Sequence, residues 1–218
     1  MGDIHFMRNP ICHIVCAGEN SGLDINLQST DFLIAADGGL DYLTEIGVTP
    51  NLTVGDFDSA NNSPQGEIIK LNCDKNETDT YICVLEGLKR GYNTFFFHCA
   101  TGSRFDHTLA NLQILTHLAK HNAQGYIFDS DQIITSLPEC VQIEFFADAQ
   151  GTVSVFSATD ICEGVNIKGL KYELDNGFLS SEFSLGVSNS FIDKPSSICA
   201  SKGILTVVFP KSALKFIK

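Results

Sequence analysis

Apolar runs alternate with helical stripes through the first half of the chain, and the pattern changes after Pro138. Ile11 to Ala17, Phe32 to Ala36 and Thr94 to Ala100 are apolar runs of strand length, which predicts strands buried on both faces. A helix is predicted from Gly39 to about Gly47, with Pro50 beyond it. Another runs from about Asp79 to Arg90, where Tyr81, Val84, Leu85 and Leu88 form an i, i+3, i+4, i+7 stripe. Thr78 suits its N-cap and Gly91 its stop. A third begins near His107 and carries Leu112, Leu115 and Ala119 on one face. Such alternation predicts an α/β domain over residues 1–138, with a mostly parallel sheet covered by helices.

Beyond Pro138 the helical period fades. Val141 to Phe146, Thr152 to Phe156, Phe178 to Leu185 and Ile204 to Phe209 read as strands, punctuated by Gly151, Gly164, Gly169, Gly177, Gly186 and Gly203. Residues 139–218 are therefore expected to form a small all-β sandwich domain packed directly on the first.

Composition narrows the classes. In 218 residues, 44% are hydrophobic and 18% charged, enough for a substantial core and too apolar for disorder. Sixteen Phe and no Trp make Phe the main aromatic filling. The formal net charge of -12 opposes binding to nucleic acid and would repel any small phosphate-bearing ligand as well, unless clustered carboxylates hold a divalent cation. No two of the eight cysteines have C-x-x-C spacing, so reduced, buried thiols are expected. The first ten residues carry Asp3, His5 and Arg8 before an apolar run that soon reaches Glu19, too short for a membrane span and unlike a signal peptide, so a cytoplasmic chain is expected.

Four polar segments follow apolar strands, where open α/β sheets bind ligands. Gly55-Asp56-Phe57-Asp58-Ser59 places two carboxylates two residues apart, on one side of an extended chain, a hard-oxygen arrangement that suits Mg²⁺. An Asp-rich turn accounts for the same residues. Asp79 opens the second helix, where a carboxylate is favoured in any case. Asp37, Gly38 and Gly39 lie between a strand and a helix, and the glycines permit close approach of a nucleotide; a structural turn explains them about as well. In Gly102-Ser103-Arg104-Phe105-Asp106-His107, Arg104 stands where a phosphate would sit at a helix N-terminus. Asp106 is placed to orient Arg104 or accept a proton, and His107 to cap the helix or touch the nucleotide. An Asp N-cap with an incidental Arg is the plainer account. Convergence of all four segments on one site is favoured over four coincidences.

The ordered set AADGGLDYL from Ala35, GDFDS from Gly55, ETDT from Glu77 and GSRFDHTLANL from Gly102 resembles the thiamine pyrophosphokinase family. KGLKYELDN from Lys168 and LGVSNSF from Leu185 resemble its thiamine-side segments. The resemblance spans nearly the whole chain. It implies a Rossmann-like α/β catalytic domain, a C-terminal β-sandwich for thiamine binding and dimerisation, and a homodimer with the active site at the subunit interface. It implies Mg²⁺ on Asp56, Asp58 and Asp79, and ATP lined by Asp37, Gly38, Gly39, Gly102, Arg104 and His107. The implied catalytic set is Asp56, Asp58, Asp79, Arg104 and Asp106. Thiamine would meet Tyr172, Ser188 and Asn189. Two departures stand out: Asn76 replaces a common acid, and Tyr172 stands where Trp is frequent. The competing readings are a diphosphokinase acting on a hydroxymethyl-pterin, a hydrolase using the two aspartates, and a non-catalytic nucleotide-sensing module. A hydrolase lacks support, since Ala60 stands where a D-x-D-x-[TV] pattern needs Thr or Val.

Overall fold

The computed structural model describes residues 9–56, 63, 66–72 and 76–217. Cys12–Val15 (β1), Phe32–Ala36 (β2), Leu52–Gly55 (β3), Glu67–Lys70 (β4), Thr94–His98 (β5) and Gln124–Phe128 (β6) form a parallel array in the order β6-β5-β1-β2-β3-β4. Gly39–Glu45 (α1), Asp79–Lys89 (α2) and Phe105–Lys120 (α3) cover it. Alternation along each strand sorts its side chains between two cores. Cys12, Ile14, Phe95 and Phe97 pack with Cys83 and Val84 of α2 and Ile114, Leu115 and Leu118 of α3. Val15, Leu33 and Ala35 face the other way, against Leu40 and Leu43 of α1.

Thr78 caps α2 as expected, its Oγ1 accepting the Tyr81 N–H at 3.2 Å. The expected stripe is rotated, however. Thr80, Cys83, Val84 and Gly87 are the buried residues of α2, and Leu85 is 39% exposed. The reason lies in Gly87, where an added Cβ would come within 2.5 Å of the Phe95 ring. The helix sets its small residues on the large Phe ring and turns Leu85 outward.

The two domains share a sheet. Gln132–Leu137 (β7) runs antiparallel to β6 and also pairs with Leu205–Pro210 (β14), which pairs in turn with Thr152–Ser157 (β9). Asn189–Ser190 (β12) closes that edge, so ten strands form one sheet among the described residues. Gln142–Phe145 (β8), Ile161–Lys168 (β10), Leu174–Ser180 (β11) and Ser196–Cys199 (β13) build a second, four-stranded sheet in the order β11-β10-β13-β8. Phe145, Val153, Val165, Ile198, Val207 and Phe209 fill the layer between the two. The C-terminal part is thus a sandwich whose inner sheet continues the parallel one. The strand expected over Phe178 to Leu185 lies instead at Leu174–Ser180. Phe178, Phe183 and Leu185 are all strongly exposed, so apolar character there does not mark a core strand. Cys12, Cys16, Cys83, Cys99 and Cys162 are buried free thiols. Among the described residues no helix is long and apolar enough to cross a membrane.

His13 of β1 and His98 of β5 stack on the α1 side of the sheet, nearly parallel, with centroids 5.4 Å apart. Burial, with His13 and Lys211 acting in the same sense, pushes the His98 pKa down to about 3 from 6.5. The folded state then holds a neutral ring while the unfolded chain takes up a proton below about pH 6.5. His98 therefore stabilises the fold fully above that pH, and the contribution fades as pH falls towards 3. Each unit in that window costs about 1.4 kcal/mol. Urea unfolding at pH 7 and pH 5 is expected to differ by about 2 kcal/mol more in the native protein than in His98→Phe. Equal pH dependence in the two proteins would contradict this.

Candidate active site

The carboxyl ends of β1, β2 and β5 and the N-termini of α2 and α3 meet at a cavity of about 160 Å³. Asp37, Asp79, Gly102, Arg104 and His107 all line it. Five residues singled out from three separate segments thus converge on one cleft. Asp37 follows β2 with a left-handed backbone, φ 48°, and its N–H donates to the Val54 carbonyl at 2.8 Å. Cys99 (φ 51°) and Ser103 (φ 53°) line the same cleft. Left-handed non-glycine backbones cost roughly 1–3 kcal/mol each, and their clustering is a mark of functional geometry.

Arg104 is the N-cap position of α3 and makes no side-chain cap. Its guanidinium forks onto Asp106, Nε to Oδ1 at 3.2 Å and Nη2 to Oδ2 at 2.6 Å. Asp106 is therefore not the N-cap. The hydrogen bond from Arg104 holds the Asp106 carboxyl below the usual carboxylate range, and the same bond raises Arg104. A carboxylate held ionised in this way is a poor proton acceptor and a good orienting partner. Both side chains are largely exposed, so the arginine reaches open space beside the helix N-terminus, where an anion is favoured.

The glycines of the first segment serve packing. A Cβ on Gly39 would lie 2.0 Å from the Val15 carbonyl oxygen, and one on Gly38 would lie 3.1 Å from the Ala17 Cβ. Neither lines the cleft. Asp56 stands one residue beyond β3 and is likewise outside the cavity wall, while Asp58 lies outside the described residues. Among the described residues no three His, Cys, Asp or Glu side chains form a metal cluster. Asp37 and Asp79 in the cleft wall, and Asp56 just past the end of the neighbouring strand β3, are all carboxylates. Mg²⁺ takes one or two such oxygens and completes its shell with water and phosphate, so the donor chemistry fits that ion.

Several residues of the cleft escape sequence reading. Asn111 is buried and donates from Nδ2 to the Ala100 carbonyl at 2.7 Å, tying α3 to the end of β5. Thr78, Ser103 and Gly18 also contribute walls. Gly18 is pinned there: its N–H donates to the Cys99 carbonyl at 2.8 Å, and a Cβ would come within 2.4 Å of the Cys99 and Thr101 oxygens. Asn111 lies inside the quoted GSRFDHTLANL segment, which was the available signal.

A second cavity, of about 280 Å³, lies in the β-rich part and is lined by Tyr172, Leu174, Leu185, Val187 and Asn189, among others. Tyr172 is 60% exposed. Asn189 is buried, with its amide engaged: Oδ1 accepts the N–H groups of Tyr172 and Ser190 at 2.9 Å each, and Nδ2 donates to the Tyr172 carbonyl at 2.6 Å. It clamps the two β-domain segments together and sets the backbone of Tyr172. Ser188 is exposed, with φ 60°, and its N–H donates to Ser154 Oγ at 3.1 Å; it does not line this cavity.

Comparison with known proteins covers most of the chain. The family model "Thiamin pyrophosphokinase, catalytic domain" matches residues 23–127, and "Thiamin pyrophosphokinase, vitamin B1 binding domain" matches residues 141–205. The thiamine pyrophosphokinase of Bacillus subtilis (strain 168) is 25% identical over 182 residues, covering 80% of this chain and 85% of the relative. Two similar solved structures are thiamine pyrophosphokinases of B. subtilis and Geobacillus thermodenitrificans, with TM-scores of 0.81 and 0.79 and 22% and 24% identity. The first alignment covers 92% of this chain and 98% of the other; the second covers 94% and 100%. The enzyme from Candida albicans aligns with a TM-score of 0.71 at 18% identity, over 93% of this chain and 90% of that one.

Proposed function

The chain belongs to the thiamin pyrophosphokinase family, and on that premise we propose that it transfers the diphosphate of ATP to the hydroxyl of thiamine, giving thiamine diphosphate and AMP. The observation that carries the reading is the convergence of Asp37, Asp79, Gly102, Arg104 and His107 on one cleft at the strand ends. Residues 1–138 would act as the catalytic part and residues 139–218 as the thiamine-binding and dimerising part, in line with the spans of the two family models.

In the proposed reaction the substrate oxygen bonds to the β-phosphorus of ATP, and the bond from that phosphorus to the α,β-bridging oxygen breaks. The electron pair leaves with AMP, and the proton of the substrate hydroxyl passes to solvent water. Such a transfer needs positioning and charge neutralisation more than covalent help from the protein. Arg104, steered by Asp106, would bind the β- and γ-phosphate oxygens, with the amides at the start of α3 beside it. Asp79, Asp56 and Asp58 would hold Mg²⁺, which when bound draws negative charge off the diphosphate. Asp37 and His107 would flank the nucleotide. Buried free thiols suit a reducing, cytoplasmic setting.

Within one chain the two sets of site residues line different cavities. This supports a homodimer in which the β-part of one protomer faces the cleft of its partner. The surface for it is present: Tyr172, Phe178, Phe183 and Leu185 are 60%, 67%, 68% and 57% exposed. Large exposed apolar side chains in one region mark an interaction surface. Phe178→Asp is expected to sediment as a monomer and to lose at least about tenfold in activity, by burying an unpaired charge. A dimeric, active Phe178→Asp protein would exclude this face.

Tyr172 would stack on the cationic ring of thiamine: the residue is 60% exposed, and Lys171 Nζ, 5.2 Å from the ring centroid, makes the cation–π contact that thiamine would replace. Tyr172→Ala is expected to raise the thiamine KM about 5- to 30-fold, equivalent to about 1–2 kcal/mol, with the KM for ATP little changed. An unaltered thiamine KM removes the stacking role. The acceptor itself is tested by measuring AMP release with thiamine and with a hydroxymethyl-pterin. AMP with thiamine alone supports the reading, AMP with the pterin alone redirects it to the other diphosphokinase, and ATP binding without AMP in either case indicates a sensing module.

A further inference from the structure

Another cavity adjoins the cleft and plays no part in the reaction above. Residues 19–28, which follow β1, close with the 3₁₀ turn Lys211–Phe216 over a space of about 250 Å³ on the α1 side of the sheet. Its floor is a set of rings: His98 lies nearly parallel to Phe128, at 14° and 5.4 Å, and His13 and Phe96 complete it. The volume falls below the ~300 Å³ at which drug-sized ligand pockets usually begin, which suits a single ring system.

Hydrogen bonding sets what that ring must offer. The fully buried Asp31 carboxylate accepts the N–H groups of Ile11 and Gln28 at 3.0 and 2.9 Å and lies 3.6 Å from His13 Nε2. A carboxylate there favours a proton on that nitrogen. His13 Nδ1 and His98 Nε2 share a hydrogen bond 3.1 Å long. His98 Nδ1 is the ring nitrogen left to the cavity: it accepts when His13 is neutral and donates when His13 carries a second proton. Glu19, Asp24 and Asp129 also stand in the wall, against Lys211 as the single Lys or Arg among the described residues there. That balance welcomes N–H donors and cationic rings and opposes phosphate.

We propose that this cavity binds a neutral or cationic amino-substituted heteroaromatic ring, the chemistry shared by adenine nucleosides and by the aminopyrimidine of thiamine, with the ring against Phe128 and its amino-bearing edge, which offers both a donor and an acceptor, hydrogen-bonded to His98. The site is separate from the catalytic cleft: Cys99 is the residue common to the two linings. It also has a route to the cleft, since the Glu19 N–H donates to the Thr101 carbonyl at 2.8 Å and the Glu19 side chain lies against Gly102.

The inference stands apart from diphosphate transfer, because its readout is occupancy and not turnover. Crystals of the full chain, free of ATP and Mg²⁺, would be soaked separately with adenosine and with thiamine. Calorimetry would follow on the native protein, on Leu214→Trp, which fills the cavity from the 3₁₀ turn, and on His98→Phe, which keeps a ring but removes the hydrogen-bonding nitrogens. Ring density beside His98 and Phe128, with at least tenfold weaker binding in both folded variants, is the expected result; whichever compound occupies the site identifies the source of the ring. Density confined to the catalytic cleft, an empty cavity with both compounds, or binding unchanged in the variants would overturn the proposal. So would AMP binding there more tightly than adenosine. If one variant fails to fold, the soak and the other variant still decide.

Discussion

Arg104→Ala is expected to lower diphosphate transfer about 100- to 1000-fold, the range found when one preorganised donor to a transition-state oxyanion is removed. Among the described residues Arg104 lines the cleft while Lys side chains do not. It stands at the start of α3, and its charge-assisted fork onto Asp106 fixes its direction. Because the side chain is 68% exposed, its loss should leave stability within about 0.5 kcal/mol. The fall should therefore appear in kcat and kcat/KM of a folded protein. Arg104→Lys keeps the charge but loses the fork, so it should recover only part of the loss. Asp106→Asn separates the two roles open to that carboxylate. As an orienting group it costs about tenfold and leaves the pH profile in place, whereas as the proton acceptor it costs as much as Arg104→Ala and removes a limb of the profile. A native rate in Arg104→Ala would detach the arginine from the chemistry.

Gly39→Ala is the substitution expected to do most harm to the fold. Gly39 is the first residue of α1, buried against β1, and a Cβ there would meet the Val15 oxygen at 2.0 Å and the Val15 carbon at 2.7 Å. Both are backbone atoms of a central strand, held by parallel pairing to β2 and β5, so neither can step aside. Relief requires α1 to lift from Leu33, Ala35 and Val15, which opens the core on that face. Overpacking with backbone displacement typically costs about 1–3 kcal/mol and sometimes more; here it should reach the upper end, at least 3 kcal/mol. Chemical denaturation of the purified variant measures it, and a loss under about 1 kcal/mol would show that the helix shifts freely. Gly38→Ala, facing only the Ala17 Cβ at 3.1 Å, is the milder control.

The same glycine shows what the chain discloses and what it withholds. Asp-Gly-Gly after an apolar strand reads as room for a nucleotide, because a glycine's missing Cβ looks the same from either side. Only the packing reveals that Gly39 makes room for Val15. Strands β1, β2, β3 and β5 and all three helices are legible from short-range patterns, since each carries its own apolar run or cap. The rotation of α2 is not, because it depends on Gly87 meeting Phe95, a contact between elements. The shared sheet is also hidden: Leu137 pairs with Leu205 across most of the β-rich part, and alternation in one strand says nothing about its partner. Four polar segments at strand ends announce a cleft, and three of them line it as placed. The β-domain site was visible through resemblance alone, as Asn189 has the look of a turn residue and spends its amide on Tyr172 and Ser190.

Phosphorus NMR of ATP and Mg²⁺ with thiamine and the enzyme tests the central claim most directly, because it follows each phosphate through the reaction. The account predicts that the ATP signals give way to AMP and thiamine diphosphate in equal amounts, with no ADP and no free phosphate. ADP with thiamine monophosphate, or free phosphate or diphosphate released by hydrolysis, would contradict transfer of an intact diphosphate in this cleft.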